Sequence, residues 1–213
     1  MAFFLENFKF MHISEGILSA PVLLSGASIA TVGTCIGLKK LDYDRIPQVA
    51  ILTSAFFIGS LVHVPIGPFN IHLILNGLMG IFLGWVAFPA ILVGIILQAL
   101  LFQYGGFTTL GINCINMALP AVICFYTFGA GIKSDKKFVS LTASFLCGFT
   151  AVFLSCIMLA FSLIFTNEGF LALAKLAFIT QLPLMIIEGM ITLFCVRFLK
   201  KVKPEILEVV YEV

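Results

Sequence analysis

Residues 71–104 read "IHLILNGLMGIFLGWVAFPAILVGIILQALLFQY", a stretch with no Asp, Glu, Lys or Arg. It is the centre of a charge-free run of 87 residues from Ile46 to Ile132. The hydrocarbon core of a bilayer takes about 20 apolar residues per helical crossing, so this run alone implies several crossings. The whole chain agrees. Of its 213 residues, 61% are hydrophobic and 10% charged, with a mean hydropathy of +1.17; a soluble domain carries about a quarter charged residues. The expected fold class is an all-α polytopic membrane protein.

Working outward, seven apolar stretches separate, at about 17–38, 48–66, 71–87, 89–104, 115–132, 138–166 and 172–198, with six crossings the nearest alternative count. "HVPIGPFNIH" (63–72) breaks the second from the third with two prolines and a glycine. "AFPA" parts the third from the fourth, the polar, glycine-rich "QYGGFTTLGINCIN" (103–116) the fourth from the fifth, and "TNEGF" the sixth from the seventh. "GIFLG" (80–84) has the spacing of a small-residue helix-packing motif. Ten of the twelve basic residues (Lys39, Lys40, Arg45, Lys133, Lys136, Lys137, Arg197, Lys200, Lys201 and Lys203) fall on one side of a seven-span chain, and only Lys9 and Lys175 on the other. Because cytoplasmic loops carry the Lys/Arg excess, the C-terminus is expected inside and the N-terminus outside.

A net charge of +2 argues against nucleic acid as a partner. The six cysteines (Cys35, Cys114, Cys124, Cys147, Cys156 and Cys195) sit in apolar stretches with no C-x-x-C pair and read as small packing residues. "MAFFLENFKF" has neither the basic start nor the long apolar core of a secretory signal. No G-x-x-x-x-G-K-[ST] phosphate loop, H-E-x-x-H or G-x-S-x-G triad pattern occurs. Hydrolysis of ATP through a P-loop and the common protease chemistries are therefore not carried by these residues.

The polar residues left inside this apolar chain are few. His12 precedes the first span, while His63 and His72 flank the turn between the second and third, so the topology brings all three histidines to the outer surface. Imidazole suits Ni, Cu, Zn and Co. Helical spacing from His72 predicts Asn76 and Gly80 on one face below it, as a polar strip. Glu188, in "QLPLMIIEGM", is the one charged residue deep in a span, and such a residue is a functional candidate by default. It reads either as a proton relay or ligand, or as a buried, hydrogen-bonded structural carboxyl; the second is favoured, at a depth far from the histidines.

Four segments taken in order, "MHISEGIL", "HVPIGPFNIHLILNGLMGIFLG", "FQYGGFTTLGINCINM" and "TQLPLMIIEGMITLF", resemble the CbiM/NikM family. These are the membrane-embedded substrate-binding (S) components of cobalt and nickel energy-coupling-factor (ECF) transporters, a class of ABC transporter. The resemblance runs from Met11 to about Pro204. It implies an all-helical S component with its N-terminus outside, as the charge count gives independently. It also implies a metal held by four nitrogens: the Met11 amine, the His12 amide, the His12 ring and the ring of His72, with His63 a nearby further member. Asn70, Asn76, Asn113, Asn116 and Glu188 are the supporting candidates around that set. No permanently bound cofactor is expected, since Ni(II) or Co(II) is cargo.

The implied function is high-affinity capture and ATP-driven import of a divalent transition metal across the inner (plasma) membrane. "VHVPIGPFNIHL" favours Ni(II) over Co(II). The implied partners are a transmembrane coupling (T) subunit, two cytoplasmic ATPase subunits and a small accessory membrane subunit. In the family the metal-binding methionine is the first residue, whereas ten residues precede Met11 here. The expectation is that residues 1–10 are an extension and Met11 the true start, with 11–204 the S component and 205–213 a cytoplasmic tail. The reading from another class is a stand-alone channel or proton-coupled carrier that uses Glu188.

Overall fold

A computed structural model describes residues 12–66 and 69–209, the side chains of 63–66, 69–71, 168, 208 and 209 excepted. The helices in chain order are α1 (Ala20–Lys39), α2 (Ile46–Gly59), α3 (Asn76–Leu83), α4 (Ala87–Phe102), α5 (Leu110–Lys133), α6 (Lys137–Thr166), α7 (Leu171–Val202) and the short α8 (Glu205–Val209). Between α2 and α3 lies one antiparallel hairpin of β1 (His63–Ile66) and β2 (Phe69–His72). Its register pairs His63 with His72 and Pro65 with Asn70. Short 3₁₀ turns cover Tyr43–Arg45, Gly84–Val86 and Glu168–Phe170. Proline stands in the first turn of both α1 and α2, where its fixed φ suits the helix and its missing N–H costs nothing.

Among the described residues, five helical stretches are long and apolar enough to cross a membrane: Ala20–Lys39, Asn76–Phe102, Leu110–Lys133, Lys137–Thr166 and Leu171–Val202. The second of them is not a single rod. Gly84 adopts φ 52, which a side chain disfavours, and it breaks the chain between α3 and α4. Gly33 and Gly37 of α1 take Phe88, Pro89 and the carbonyl of Trp85 against their bare Cα atoms. At the other end of α4, the Tyr104 ring lies 6.4 Å from that of His72, close above α3. A continuous helix over 76–102 would hold these ends about 40 Å apart at 1.5 Å per residue. The chain therefore folds back at Gly84–Val86, as the break expected at "AFPA" anticipates.

Two expectations change. The stretches expected at 48–66 and 71–87 are not full-length helices, because their facing ends form the β-hairpin and leave α2 with 14 residues and α3 with 8. Pro65, within β1, has no N–H to give a helix and its fixed φ suits extended backbone, so the helical bundle carries one small sheet among the described residues. "GIFLG" is only half a packing motif. Gly80 lies so close to α5 that a Cβ there would run into the Ala121 carbonyl, whereas Gly84 is the turn.

Small residues set the other close approaches, as they do between helices in lipid. Gly148 of α6 meets the Glu188 backbone and Thr192 of α7, and Gly189 of α7 meets Phe145. The core between the helices is filled by Phe56, Ile74, Met79, Phe82, Phe88, Ile91, Ile115 and Met117, among others, all buried. Leu24, Ile51, Leu100, Phe138, Phe165 and Phe198 point outward, a surface that suits acyl chains. The basic end of the bundle is tied together: Arg45 donates through Nη2 to Phe82 O at 2.8 Å, and Lys200 Nζ donates to Ser134 O at 3.0 Å.

The α3–α5 contact generates a test. Gly80→Val should destabilise by about 1–3 kcal/mol through overpacking and lower the melting temperature of the detergent-solubilised protein, whereas Ser28→Ala on the outward face should leave it nearly unchanged. Equal melting temperatures for Gly80→Val and the parent would show that this contact is slack.

Candidate metal centre

Four separate segments meet at the end of the bundle away from the basic residues: residues 12–15 before α1, the end of β2, the loop Gln103–Thr109 and the first turn of α5. His12 and His72 are both buried, at 3% and 5% exposed. Their rings stack at 5.1 Å between centroids with 18° between planes. Tyr104 extends the stack, 6.1 Å from His12 and 6.4 Å from His72.

The position of His12 is set by its neighbour. Asn113 uses its whole carboxamide on the Ile13 backbone: Oδ1 accepts from Ile13 N at 3.0 Å, and Nδ2 donates to Ile13 O at 3.1 Å. A carboxamide matches one residue's N–H and C=O as a strand partner would, so α5 holds the chain beside His12 in one register. Asn113 Nδ2 also reaches Thr109 Oγ1 at 3.3 Å. Two residues further on, Glu15 Oε1 accepts from Thr108 N at 3.2 Å. The glycine pair in "YGG" makes this closure possible. Gly105 has φ 73, and a Cβ there would stand 2.9 Å from Asn113 Nδ2; at Gly106 a Cβ would collide with the Glu15 side chain.

His72 is oriented from the chain that follows it. Its Nδ1 lies 2.9 Å from Leu73 O. A carbonyl can only accept, so Nδ1 carries the proton and the ring lone pair is on Nε2. Fixing the tautomer by a backbone carbonyl on one nitrogen is how metal-ligating histidines are commonly prepared.

The structure brings His12 and His72 together, with Asn113 holding the backbone of Ile13 next to the first. Met11 lies outside the described residues. His63 is described by its backbone, which is registered opposite His72; its side chain and that of Asn70 lie outside the described residues. The polar strip expected below His72 does not form, because His72 ends a strand and helical spacing begins only at Asn76, after Leu75 in the left-handed region at φ 55. Asn76 instead donates to Met117 O (3.3 Å), Ala151 O (3.4 Å) and Ser155 Oγ (2.8 Å), tying α3 to α5 and α6. Asn116 lines a small buried cavity with Ile74, Ser155 and Gln181.

Glu188 is fully buried and hydrogen-bonded, in line with the structural reading, but it is not remote from the histidines. Its Oε1 accepts from Ile74 N and Leu75 N, two and three residues past His72. Sequence reasoning missed Tyr104 and Glu15, although an aromatic beside a glycine pair in a polar loop is the signal that could have found Tyr104. Among the described residues no group of three or more His, Cys, Asp or Glu gathers.

The family profile described as "Cobalt uptake substrate-specific transmembrane region" (CbiM) matches residues 12–206. A "Putative metal transport protein" of Haemophilus influenzae is 37% identical over 202 residues, covering 92% of this chain and 97% of the relative. The "Fused nickel transport protein NikMN" of Rhodobacter capsulatus is 36% identical over 142 residues, covering 61% of this chain and 41% of that protein. "Cobalt transport protein CbiM" of Clostridium tetani is 31% identical over 220 residues, covering 95% and 90%. The crystal structure of a truncated transition metal transporter superposes with a TM-score of 0.68 at 26% identity, covering 89% of this chain and 98% of the other. With a multi-pass membrane fold, a profile match over nearly the whole chain and full-length relatives above 30% identity, this chain belongs to the CbiM family of metal-transport membrane proteins.

Proposed function

We propose that this chain is the substrate-capturing subunit of an ECF-type importer for a divalent transition metal, with Ni(II) favoured over Co(II). The ligands are the Met11 amine, the His12 amide nitrogen, the His12 ring and the His72 ring, with His63 adjacent. The single observation that carries this reading is the buried pair His12 and His72, their rings 5.1 Å apart, the first beside the clamped Ile13 backbone and the second oriented by Leu73 O. Two imidazoles bound to one ion at about 2.0–2.1 Å have centroids about 4.5 to 6 Å apart, from right-angled to linear arrangements, and the observed spacing falls inside that window.

An amine, a deprotonated amide and an imidazole from one Met-His unit close two small chelate rings. Planar nitrogen coordination of this kind suits Ni(II) or Cu(II). Burial beneath Tyr104 and the Gly105–Gly106 loop keeps water from competing. The segregation of ten basic residues at the opposite end supports an orientation with the metal end outside. The nickel preference rests on the resemblance of "VHVPIGPFNIHL"; the relatives themselves carry both nickel and cobalt names. The proton-coupled carrier is disfavoured, because Glu188 Oε1 is engaged by two backbone N–H groups.

ATP hydrolysis belongs to partner ATPase subunits, reached through a coupling subunit. Fused relatives support membrane partners: this chain covers only 36% of "Putative fused cobalt transport protein CbiMQ" of Methanocorpusculum labreanum and 41% of NikMN.

Four outcomes are expected. In the form beginning at Met11, nickel should be retained through dialysis, and His12→Ala or His72→Ala should each abolish that retention. Retaining residues 1–10 should weaken binding, since an acylated nitrogen cannot replace an amine; equal metal content in both forms would remove the amine from the set. Asn113→Ala, which touches no metal in this scheme, should cost about tenfold in affinity, measured by titration calorimetry, by freeing the chain at Ile13. In proteoliposomes, rapid nickel uptake should require the ATPase and coupling subunits, and full-rate uptake by this chain alone without ATP would overturn the assignment.

A further inference from the structure

The connection Leu73–Leu75, between β2 and α3, is non-helical backbone buried within the bundle. Ile74 is 1% exposed, and Leu75 takes φ 55 with its side chain against Gly59 of α2. The first N–H groups of a helix have no intrahelical acceptor, and no solvent is at hand inside a membrane to replace one. Glu188 reaches across from α7 and supplies the acceptor: its Oε1 takes Ile74 N at 2.5 Å and Leu75 N at 2.9 Å.

The same connection provides Leu73 O, which orients the His72 ring through Nδ1. On its other side Ile74 faces the cavity that it lines with Asn116, Ser155 and Gln181, and the Asn116 carboxamide has no hydrogen-bond partner among the described residues. A small void therefore lies beside Ile74, and the two hydrogen bonds to Glu188 tie the connection to α7.

We infer that Glu188 is a positioning residue for the metal site, capping α3 from another helix and thereby fixing where His72 presents Nε2. The inference rests on the reading of His72 as a ligand and adds a control element 116 residues away in sequence. A single carboxylate oxygen accepting two adjacent N–H groups is a strong acceptor. A glutamine carbonyl can accept the same two bonds more weakly, an aspartate is one methylene short, and a leucine accepts none.

The test is nickel affinity and the ligand-field absorption spectrum of the full chain in nanodiscs, for the parent, His72→Ala, Glu188→Gln, Glu188→Asp and Glu188→Leu. Expected are a parent-like spectrum and an affinity within about threefold for Glu188→Gln, and a tenfold or greater loss with a shifted spectrum for Glu188→Leu. If Glu188→Leu does not fold, Glu188→Asp decides, with a loss of about fivefold or more and a shifted spectrum expected. A folded Glu188→Leu or Glu188→Asp protein with parent affinity and spectrum would overturn the inference, as would nickel affinity that falls while the spectrum stays unshifted. Nickel binding that survives His72→Ala would instead sink the ligand set itself, so the two failures are distinct.

Discussion

Inside a membrane every backbone N–H and C=O must find its partner within the protein, and the rest of this structure depends on how that demand is met between β2 and α3. The chain leaves a strand at His72 and enters a helix at Asn76, so three residues have neither ladder nor helical turn to serve them. A carboxylate in α7, over a hundred residues later, closes the gap. Because the site's second histidine stands immediately before that gap, solving the backbone problem also orients the imidazole.

The same device recurs around His12. Residues 12–15 have no helix of their own, and their polar groups are met by later elements: the Asn113 side chain for the backbone of Ile13, and the backbone N–H of Thr108 for the carboxylate of Glu15. Two segments that each lack regular structure are thus pinned from opposite sides, by α5 and by α7, with Tyr104 completing the stack. An irregular backbone can be held at a set geometry only when a rigid scaffold over-determines it, and the long helices α5, α6 and α7 provide that scaffold. Their close packing at Gly148 and Gly189 fixes the height of Glu188 relative to the connection it caps.

Such a site suits a protein whose task is to grip a small ion. The supporting hydrogen bonds run to main-chain atoms, so the donors' positions depend on the bundle as a whole. A shift of α7 along α6 would be felt at His72, and a shift of α5 at His12. Under the proposed function, capture is in this way linked to helix packing, although both histidines lie at one end of the molecule.

The linear pattern of residues was enough to determine the membrane class, the break at "HVPIGPFNIH", a second break next to "AFPA", the gathering of basic residues at one end and the placing of the histidines at the other. All of these follow from hydropathy, from proline and glycine chemistry, and from the parity of crossings, which are properties of composition and order. It was not enough for the hairpin, the short α3, the redirection of Asn76 into a helix–helix tie, the Asn113 clamp, the Tyr104 stack or the reach of Glu188. In the sequence, Asn76 fits a strip below His72 by helical spacing, and only the non-helical Leu73–Leu75 connection breaks that spacing. Glu188 looks remote because depth was counted along α7 alone, whereas the chain after His72 descends to meet it. Tertiary structure decided these points because each is a contact between segments dozens of residues apart, and a hydrogen bond made by a side chain across such a distance leaves no periodicity in the sequence.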